Sequence, residues 1–252
     1  AMDVYDAGAF FTLDNLTGTG NLSDTIGVCG GKLYGDHLWS KNGINTYDLH
    51  YNYVTIAPTG TLTVDPGVTV LFGYGKDITV NGVFNAIGTP EEPILFSGEV
   101  ITPGQWAGIY FWGTPEQPAV GNLAYATLEY GGYGGAALVS IENAEVTFTH
   151  CVLRYCSGDA IKIYPGGKQA GQAMQPLADQ PTQVSWSRLQ DIGGYAIENN
   201  STQPVQAHYN WWGDASGPTA DDNPGGTGSA LLGPVRYWPY LADLEARFVF
   251  LP

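Results

Sequence analysis

Three copies of one short phrase constrain the fold of this chain more than any other feature of its sequence. The copies read LAYATLEY from Leu123, VTFTHCVLRY from Val146 and VSWSRLQD from Val184. Each copy alternates apolar and polar residues as a β-strand does, and each is followed by small residues and a second short apolar run. A unit of this kind cannot bury its apolar face alone and has to stack on its neighbours. The sequence therefore predicts an all-β solenoid.

The aligned copies predict rows of equivalent residues on neighbouring strands. The rows that we expect to face inward are Leu128–Leu153–Leu189, Tyr125–Phe148–Trp186 and Leu138–Ile161–Ile197. The rows that we expect to face outward are Glu129–Arg154–Gln190 and Val139–Lys162–Glu198. Because neighbouring strands lie about 4.8 Å apart, Glu129 is expected to pair with Arg154 and Lys162 with Glu198.

The same pattern divides the chain into segments. Residues 1–2 read as a vector-derived remnant, and the irregular residues 3–50 are predicted to be an N-terminal cap that covers the open end of the solenoid. Residues 51–207 carry the regular strands, and residues 208–252 form a predicted C-terminal cap, closed by the aromatic residues Trp211, Trp212, Trp238 and Tyr240. The Pro- and Gln-rich insertion at 164–183 is predicted to leave one corner as a loop, a common place for function.

The net charge limits the classes of molecule that this chain can bind, and the cysteine content limits its disulfide bonding. The chain has 24 acidic and 9 basic residues and a net charge of −15, so its surface repels nucleic acids and anionic membranes but tolerates neutral glycans. No apolar run is long enough to cross a membrane. The cysteines Cys29, Cys151 and Cys156 form no disulfide framework and are predicted to be buried apolar residues. We expect neither nucleic-acid binding nor membrane insertion. We expect the chain to be a monomeric domain of a larger protein.

Several longer phrases carry a family resemblance. The segments LTVDPGVTVLFG, ITVNGVFNAIGTPEEPILFSG, QWAGIYF, LEYGG and NWWGDASGP, in this order, resemble secreted bacterial right-handed parallel β-helix repeat proteins. The resemblance covers roughly residues 35–245. It implies three parallel sheets wound into a right-handed coil and a secreted or cell-surface location. It does not select an activity, since related β-helices include lyases, glycoside hydrolases, epimerases, adhesins and noncatalytic surface modules.

Catalytic candidates are few. A polysaccharide lyase acting on uronates needs a base and cations that neutralise the substrate carboxylate, and the candidates for these roles are Glu129, Arg154 and Lys162. A glycoside hydrolase needs two or three converging carboxylates. Asp159 aligns with Tyr195 and Asp191 with Tyr155, so the alignment brings no such cluster together.

Metal ligands are also sparse. The turn that contains Asp214, Asp221 and Asp222 offers oxygen ligands for Ca²⁺ but lacks a calcium-loop spacing. The sequence predicts no cofactor, with Ca²⁺ at this turn as the alternative.

Aromatic residues fit carbohydrate binding better, because ring faces stack on sugars while amides and hydroxyls bind sugar hydroxyls. The residues expected to form an exposed aromatic strip that binds a sugar chain are Tyr130, Tyr133, Tyr155, Tyr164 and Tyr195. The leading hypothesis is therefore a noncatalytic extracellular module for glycan binding or surface attachment. The alternatives are a polysaccharide-degrading enzyme with its site on outward strand residues and a purely structural spacer.

Overall fold

The computed structural model describes residues 2–4, 25–28, 30–41, 43–166 and 182–244. These residues form 22 strands and one short 3₁₀ turn at Tyr133–Gly135. In chain order the strands are β1 (Met2–Val4), β2 (Ile26–Val28), β3 (Gly31–Trp39), β4 (Thr46–Leu49), β5 (Val54–Val64), β6 (Thr69–Phe72), β7 (Asp77–Val80), β8 (Val83–Ile87), β9 (Ile94–Gly98), β10 (Gly108–Trp112), β11 (Ala119–Ala124), β12 (Ala126–Glu129), β13 (Val139–Glu142), β14 (Ala144–Thr149), β15 (Val152–Cys156), β16 (Ile161–Ile163), β17 (Gln183–Ser185), β18 (Arg188–Ile192), β19 (Ile197–Asn199), β20 (Val205–Gln206), β21 (Leu231–Leu232) and β22 (Val235–Arg236).

The strands form two sheets in which every pairing between them is parallel. Ladder A is the eight-strand sheet, in the order β1-β2-β4-β6-β9-β12-β15-β18. The long strand β5 divides the 14-strand sheet into two further series. Ladder B runs from the first half of β5 through β7-β10-β13-β16-β19-β21, and ladder C runs from its second half through β8-β11-β14-β17-β20-β22. The prediction of an all-β chain with parallel strands is confirmed.

The segment predicted as the N-terminal cap contributes strands to this arrangement. β2 and β4 pair in parallel within ladder A, and β3 pairs with β5 along its length. At the other end Trp212 is completely buried, whereas Trp238 is 67% exposed and does not close the core as expected. Of the insertion predicted at 164–183, residues 167–181 lie outside the described residues, as does Cys29. Among the described residues, no helix has the length and apolar character to cross a bilayer.

The core is built from rows of inward residues. Leu128, Leu153 and Leu189 are directly paired and fully buried, as predicted. Because side chains alternate along a strand, the residues on either side of this row face outward. Cys151 and Cys156 are free and buried, as expected, and burial raises the pKa of these thiols to about 11 and about 12.

The predicted inward row Tyr125–Phe148–Trp186 is wrong. The structure pairs Leu123 with Phe148 and Phe148 with Val184, while Tyr125 lies at the corner after β11 with a positive φ of 47°. The predicted row combines the strand residue Phe148 with Tyr125 and Trp186, which are corner residues two positions further along their own copies. The corner residues instead form a row of their own, Tyr125, His150, Trp186 and Tyr209, whose rings stack in parallel.

The predicted row Val139–Lys162–Glu198 and the predicted row Leu138–Ile161–Ile197 are each wrong by one position. In ladder B, Ser140 pairs with Lys162, which pairs with Glu198, and Val139 pairs with Ile161, which pairs with Ile197. The corner that contains the 3₁₀ turn at Tyr133–Gly135 is longer than its equivalent before β16. The number of residues between a ladder-A position and the ladder-B position that follows it therefore differs from one unit to the next.

The buried leucine row generates a stability prediction. Leu153→Ala should lower the free energy of unfolding by about 2–5 kcal/mol, because it removes fully buried methyl groups between Leu128 and Leu189. Val152→Ala is the matched control, because Val152 is adjacent but faces outward and is only half-buried. Urea unfolding of the three proteins measures the effect, and equal losses in both variants would contradict the assigned inward row.

Candidate ligand-binding face

The outward side of ladder B carries the largest set of aromatic and charged side chains that the strand pairing brings together. One outward row contains Thr79, Tyr110, Ser140, Lys162 and Glu198. A second row, one alternation further along the strands, contains Trp112 and Glu142, followed by Tyr164, whose backbone N–H donates to the Ile141 carbonyl. We call these residues from Tyr110 onward, together with the adjacent Asp159, the ladder-B face.

Large and small residues alternate along the first of these rows. Tyr110 and Lys162 lie two strands apart, with Ser140 between them. Although Ser140 is on the outward side, it is buried, because the longer side chains on either side cover it. Two strands correspond to about 10 Å, so Tyr110 and Lys162 stand as two walls on either side of Ser140.

Aromatic rings form one of these two walls. The rings of Tyr110 and Trp112 stack with their centroids 5.3 Å apart and an interplanar angle of 11°, so each ring keeps one face free of the other. Trp112 is 44% exposed. Burial, with smaller effects from Asp77, Tyr164 and Tyr53, raises the pKa of Tyr110 to about 12. Tyr110 therefore keeps its hydroxyl proton at neutral pH and can donate a hydrogen bond.

Charged groups form the other wall. Lys162 Nζ lies 2.6 Å from Glu198 Oε2 and 3.8 Å from Asp159 Oδ2. Asn200 Nδ2 donates to Glu198 Oε1 over 2.7 Å, and the Tyr195 backbone N–H donates to Asp159 Oδ1 over 2.7 Å. The predicted ion pair between Lys162 and Glu198 is thus present, with Asp159 as an additional member.

The two carboxyl groups of this cluster have opposite pKa shifts. Burial, followed by the hydrogen bond to Glu198, raises the pKa of Asp159. The hydrogen bond from Asp159, with help from Lys162 and Asn200, lowers the pKa of Glu198 to about 2. The Lys162 ammonium thus favours charge on Glu198, the carboxylate that it contacts more closely.

The three predicted catalytic residues do not form one cluster. Arg154 Nη2 contacts Glu129 Oε2 at 2.8 Å on ladder A, and the Ser97 hydroxyl donates to Glu129 Oε1 over 3.4 Å. Lys162 lies on ladder B with other partners. The pair Glu129–Arg154 is the predicted outward pair, and its carboxylate is buried beneath the sheet surface.

The five predicted ligand-binding tyrosines lie in three places. Tyr130 and Tyr155 occupy the corner after ladder A with positive φ values, and their rings stack on each other at 5.4 Å. The Arg154 guanidinium lies 5.1 Å from the Tyr155 ring centre, so these rings offer little free face. Tyr133 packs its edge against Tyr74. Tyr164 and Tyr195 border the charged cluster of the ladder-B face.

The stack of Tyr125, His150, Trp186 and Tyr209 is a further aromatic surface. The interplanar angles between its successive rings are 11°, 11° and 6°. Rings stacked in this way cover each other's faces and present only their edges to solvent. This stack stabilises the corner between ladders C and A, and it is a poor platform for a sugar ring.

The predicted calcium turn uses its acidic side chains within the fold. Asp214 Oδ1 accepts hydrogen bonds from the backbone and hydroxyl of Ser216, and Asp222 Oδ1 accepts one from the Tyr237 hydroxyl. Across the described ranges, one group of three metal-ligating side chains comes together, and it consists of Asp48, His50 and Glu99. Ca²⁺ binding at the turn stays a prediction.

Sequence reasoning missed the combination of Asp159 and Glu198. The two residues belong to different rows, since Asp159 precedes β16 and Glu198 lies within β19, so a comparison of equivalent positions does not pair them. The signal that points to them is the corner geometry, in which the Asp159 carboxylate accepts a hydrogen bond from the backbone N–H of Tyr195, in the corner before β19.

Comparisons with known proteins identify no relative. No family model matches the chain, and neither a curated protein nor a solved structure is significantly similar to it. The family resemblance inferred from the sequence therefore stays a prediction.

The shifted carboxyl pair predicts a pH dependence of stability. The pKa of Glu198 falls from its usual 4.5 to about 2 in the folded protein, so its contribution to stability is complete above pH 4.5 and is lost as the pH falls towards 2. The difference in melting temperature between the wild type and Glu198→Gln should therefore shrink over this window. Glu198→Gln also removes one cause of the raised pKa of Asp159, so the difference reports the two carboxyl groups together.

Thermal unfolding monitored by circular dichroism between pH 2 and pH 7 provides the measurement. Glu145→Gln, an outward substitution on ladder C, is the control and should leave the profile unchanged. A Glu198→Gln profile parallel to that of the wild type would contradict the assigned ion cluster.

Proposed function

We propose that this chain is a noncatalytic extracellular module that binds a neutral glycan on the ladder-B face. The observation that carries the proposal is that the strand pairing of ladder B brings the rings of Tyr110, Trp112 and Tyr164 to one face, beside fixed polar groups. Trp112 and Tyr164 present exposed ring surface, and the hydroxyl of Tyr110 and the Lys162–Glu198 pair lie next to it. Ligand sites commonly combine aromatic walls with a few placed polar groups in this way.

The proposed architecture behind this face is a right-handed parallel β-helix. Three ladders of parallel strands, each pairing equivalent positions of successive units, support this arrangement. Handedness follows from the rule that connections between parallel strands of one sheet are right-handed in nearly all proteins. A long ladder of strands offers a straight face on which an extended chain of sugars can lie along the stacking direction.

Charge favours a neutral glycan over an acidic one. The net charge of −15 opposes the approach of a polyanion at low ionic strength. On the ladder-B face the Lys162 ammonium is already paired with Glu198, so it is not free to neutralise a uronate. The hydroxyl, amide and ion-paired groups instead provide donors and acceptors for sugar hydroxyls. Attachment to a cell-surface polysaccharide is the biological role that this chemistry fits.

The glycan proposal predicts the effect of removing one ring. A glycan array should identify a neutral oligosaccharide ligand, and Trp112→Ala should weaken its binding by about tenfold, which corresponds to about 1.4 kcal/mol. Trp238→Ala is the matched control, because Trp238 is equally an exposed tryptophan but belongs to the C-terminal segment. Calorimetric titration measures both variants. Absence of binding to any glycan would favour the structural spacer.

A second candidate function rests on Asp159 and Glu198. Two carboxyl groups with pKa values shifted in opposite directions are the usual signature of an acid and a base, and this pair borders the aromatic wall. Glu198 is, however, held by the Lys162 ammonium at 2.6 Å and by a hydrogen bond from Asn200 Nδ2, so both of its oxygens are engaged within the protein. This geometry makes polysaccharide cleavage the less favoured of the two proposals.

Reducing-end and unsaturated-product assays on a polysaccharide panel separate the two candidates. The leading proposal expects no product from the wild-type protein. Cleavage that Glu198→Gln lowers by about 100-fold or more, while Glu142→Gln does not, would replace binding by catalysis as the function of this face.

A further inference from the structure

A group of three potential metal ligands lies at the corner between ladders A and B, away from the ladder-B face. Asp48 is an outward residue of β4, His50 follows β4 directly, and Glu99 follows β9 directly. Within ladder A, β4 pairs with β6 and β6 pairs with β9. The three side chains therefore come from strands that are two spacings apart, about 10 Å, and they converge above the strand between them.

The corner residue of the intervening strand makes this convergence possible. The Gly73 backbone N–H donates to the Leu49 carbonyl, and the Glu99 N–H donates to the Phe72 carbonyl. These bonds place Gly73 between His50 and Glu99. A Cβ atom at Gly73 would come within 2.6 Å of the His50 carbonyl oxygen. A larger residue at this position would therefore displace the His50 backbone, and with glycine there His50 Nδ1 and Glu99 Oε1 lie 2.6 Å apart.

The ligand atoms are close enough for one ion. One donor atom from each of Asp48, His50 and Glu99 lies within 4.8 Å of the other two. Donor atoms that share a transition-metal ion at 2.0–2.2 Å lie about 3–4 Å apart, so small side-chain rotations close the remaining gap. His50 and Glu99 are exposed and Asp48 is half-buried, which leaves the group open to ions from solvent.

The donor set selects the class of ion. One imidazole nitrogen and two carboxylate oxygens suit Zn²⁺ and other divalent transition metals, whereas Ca²⁺ and Mg²⁺ prefer ligand sets made of oxygen alone. Two carboxylates also balance the charge of a dication. We propose that Asp48, His50 and Glu99 bind a divalent transition-metal ion that links β4 to β9 across Gly73. Three protein ligands leave at least one coordination position for water or for an oxygen of a bound molecule.

Cobalt and zinc titrations of the untagged protein test the site. Co²⁺ should bind with a stoichiometry of one per chain and give visible absorption bands that Zn²⁺ removes. Zn²⁺ should also raise the melting temperature in a concentration-dependent way, because it binds the folded state. His50→Ala should lower the affinity for both ions by at least about tenfold.

His37→Ala is the matched control, since His37 is a surface histidine whose Nε2 contacts the Tyr34 carbonyl oxygen at 2.9 Å, and its metal affinity should equal that of the wild type. Glu99→Gln keeps the size of the side chain and should weaken binding while the circular dichroism spectrum stays native, so a folding defect of His50→Ala would not obscure the result. Absence of saturable binding to the wild type would overturn the proposal. So would equal affinities of the wild type, His50→Ala and Glu99→Gln.

Discussion

The parallel pairing of each strand with its equivalent in the next unit is the constraint on which the rest of this structure depends. It places a side chain directly beside the side chain of the matching position, about 4.8 Å away. Inward rows become continuous apolar columns such as Leu128, Leu153 and Leu189. Outward rows become lines of neighbouring polar and aromatic groups. The order of the residues along each row therefore determines the chemistry of that face.

Corners are the second determinant of the architecture. Single residues with positive φ turn the chain at equivalent places, for example Tyr125, His150 and Trp186. The left-handed conformation costs a non-glycine residue about 1–2 kcal/mol, and ring stacking along the corner offsets part of this cost. The same arrangement explains why several exposed aromatic residues are poor sugar platforms, since their faces are already in contact with one another.

Sequence patterns predict the strands and the ladder-A rows well, because hydrophobic alternation and the spacing of Leu128, Leu153 and Leu189 are local signals. They fail at the corners. One predicted row combines the corner residues Tyr125 and Trp186 with the strand residue Phe148, because the alternation of the sequence does not distinguish a corner residue from a strand residue. The longer corner at Tyr133–Gly135 displaces the ladder-B rows by one residue. The Asp159–Glu198 pair depends on side chains that reach between rows, and a comparison of equivalent positions cannot detect such a contact.

The neighbour-only pairing of the ladders also has a mechanical consequence. Each strand is bonded to the strands before and after it in its own ladder, and the described strands form no pairings that bypass a neighbour. A tensile force along the stacking direction therefore acts on every strand pair of a ladder in turn. The strand pair with the weakest bonding determines the force at which that ladder separates. A bridge across Gly73 that joins β4 directly to β9 would carry load in parallel with β6 and would stiffen this part of the molecule.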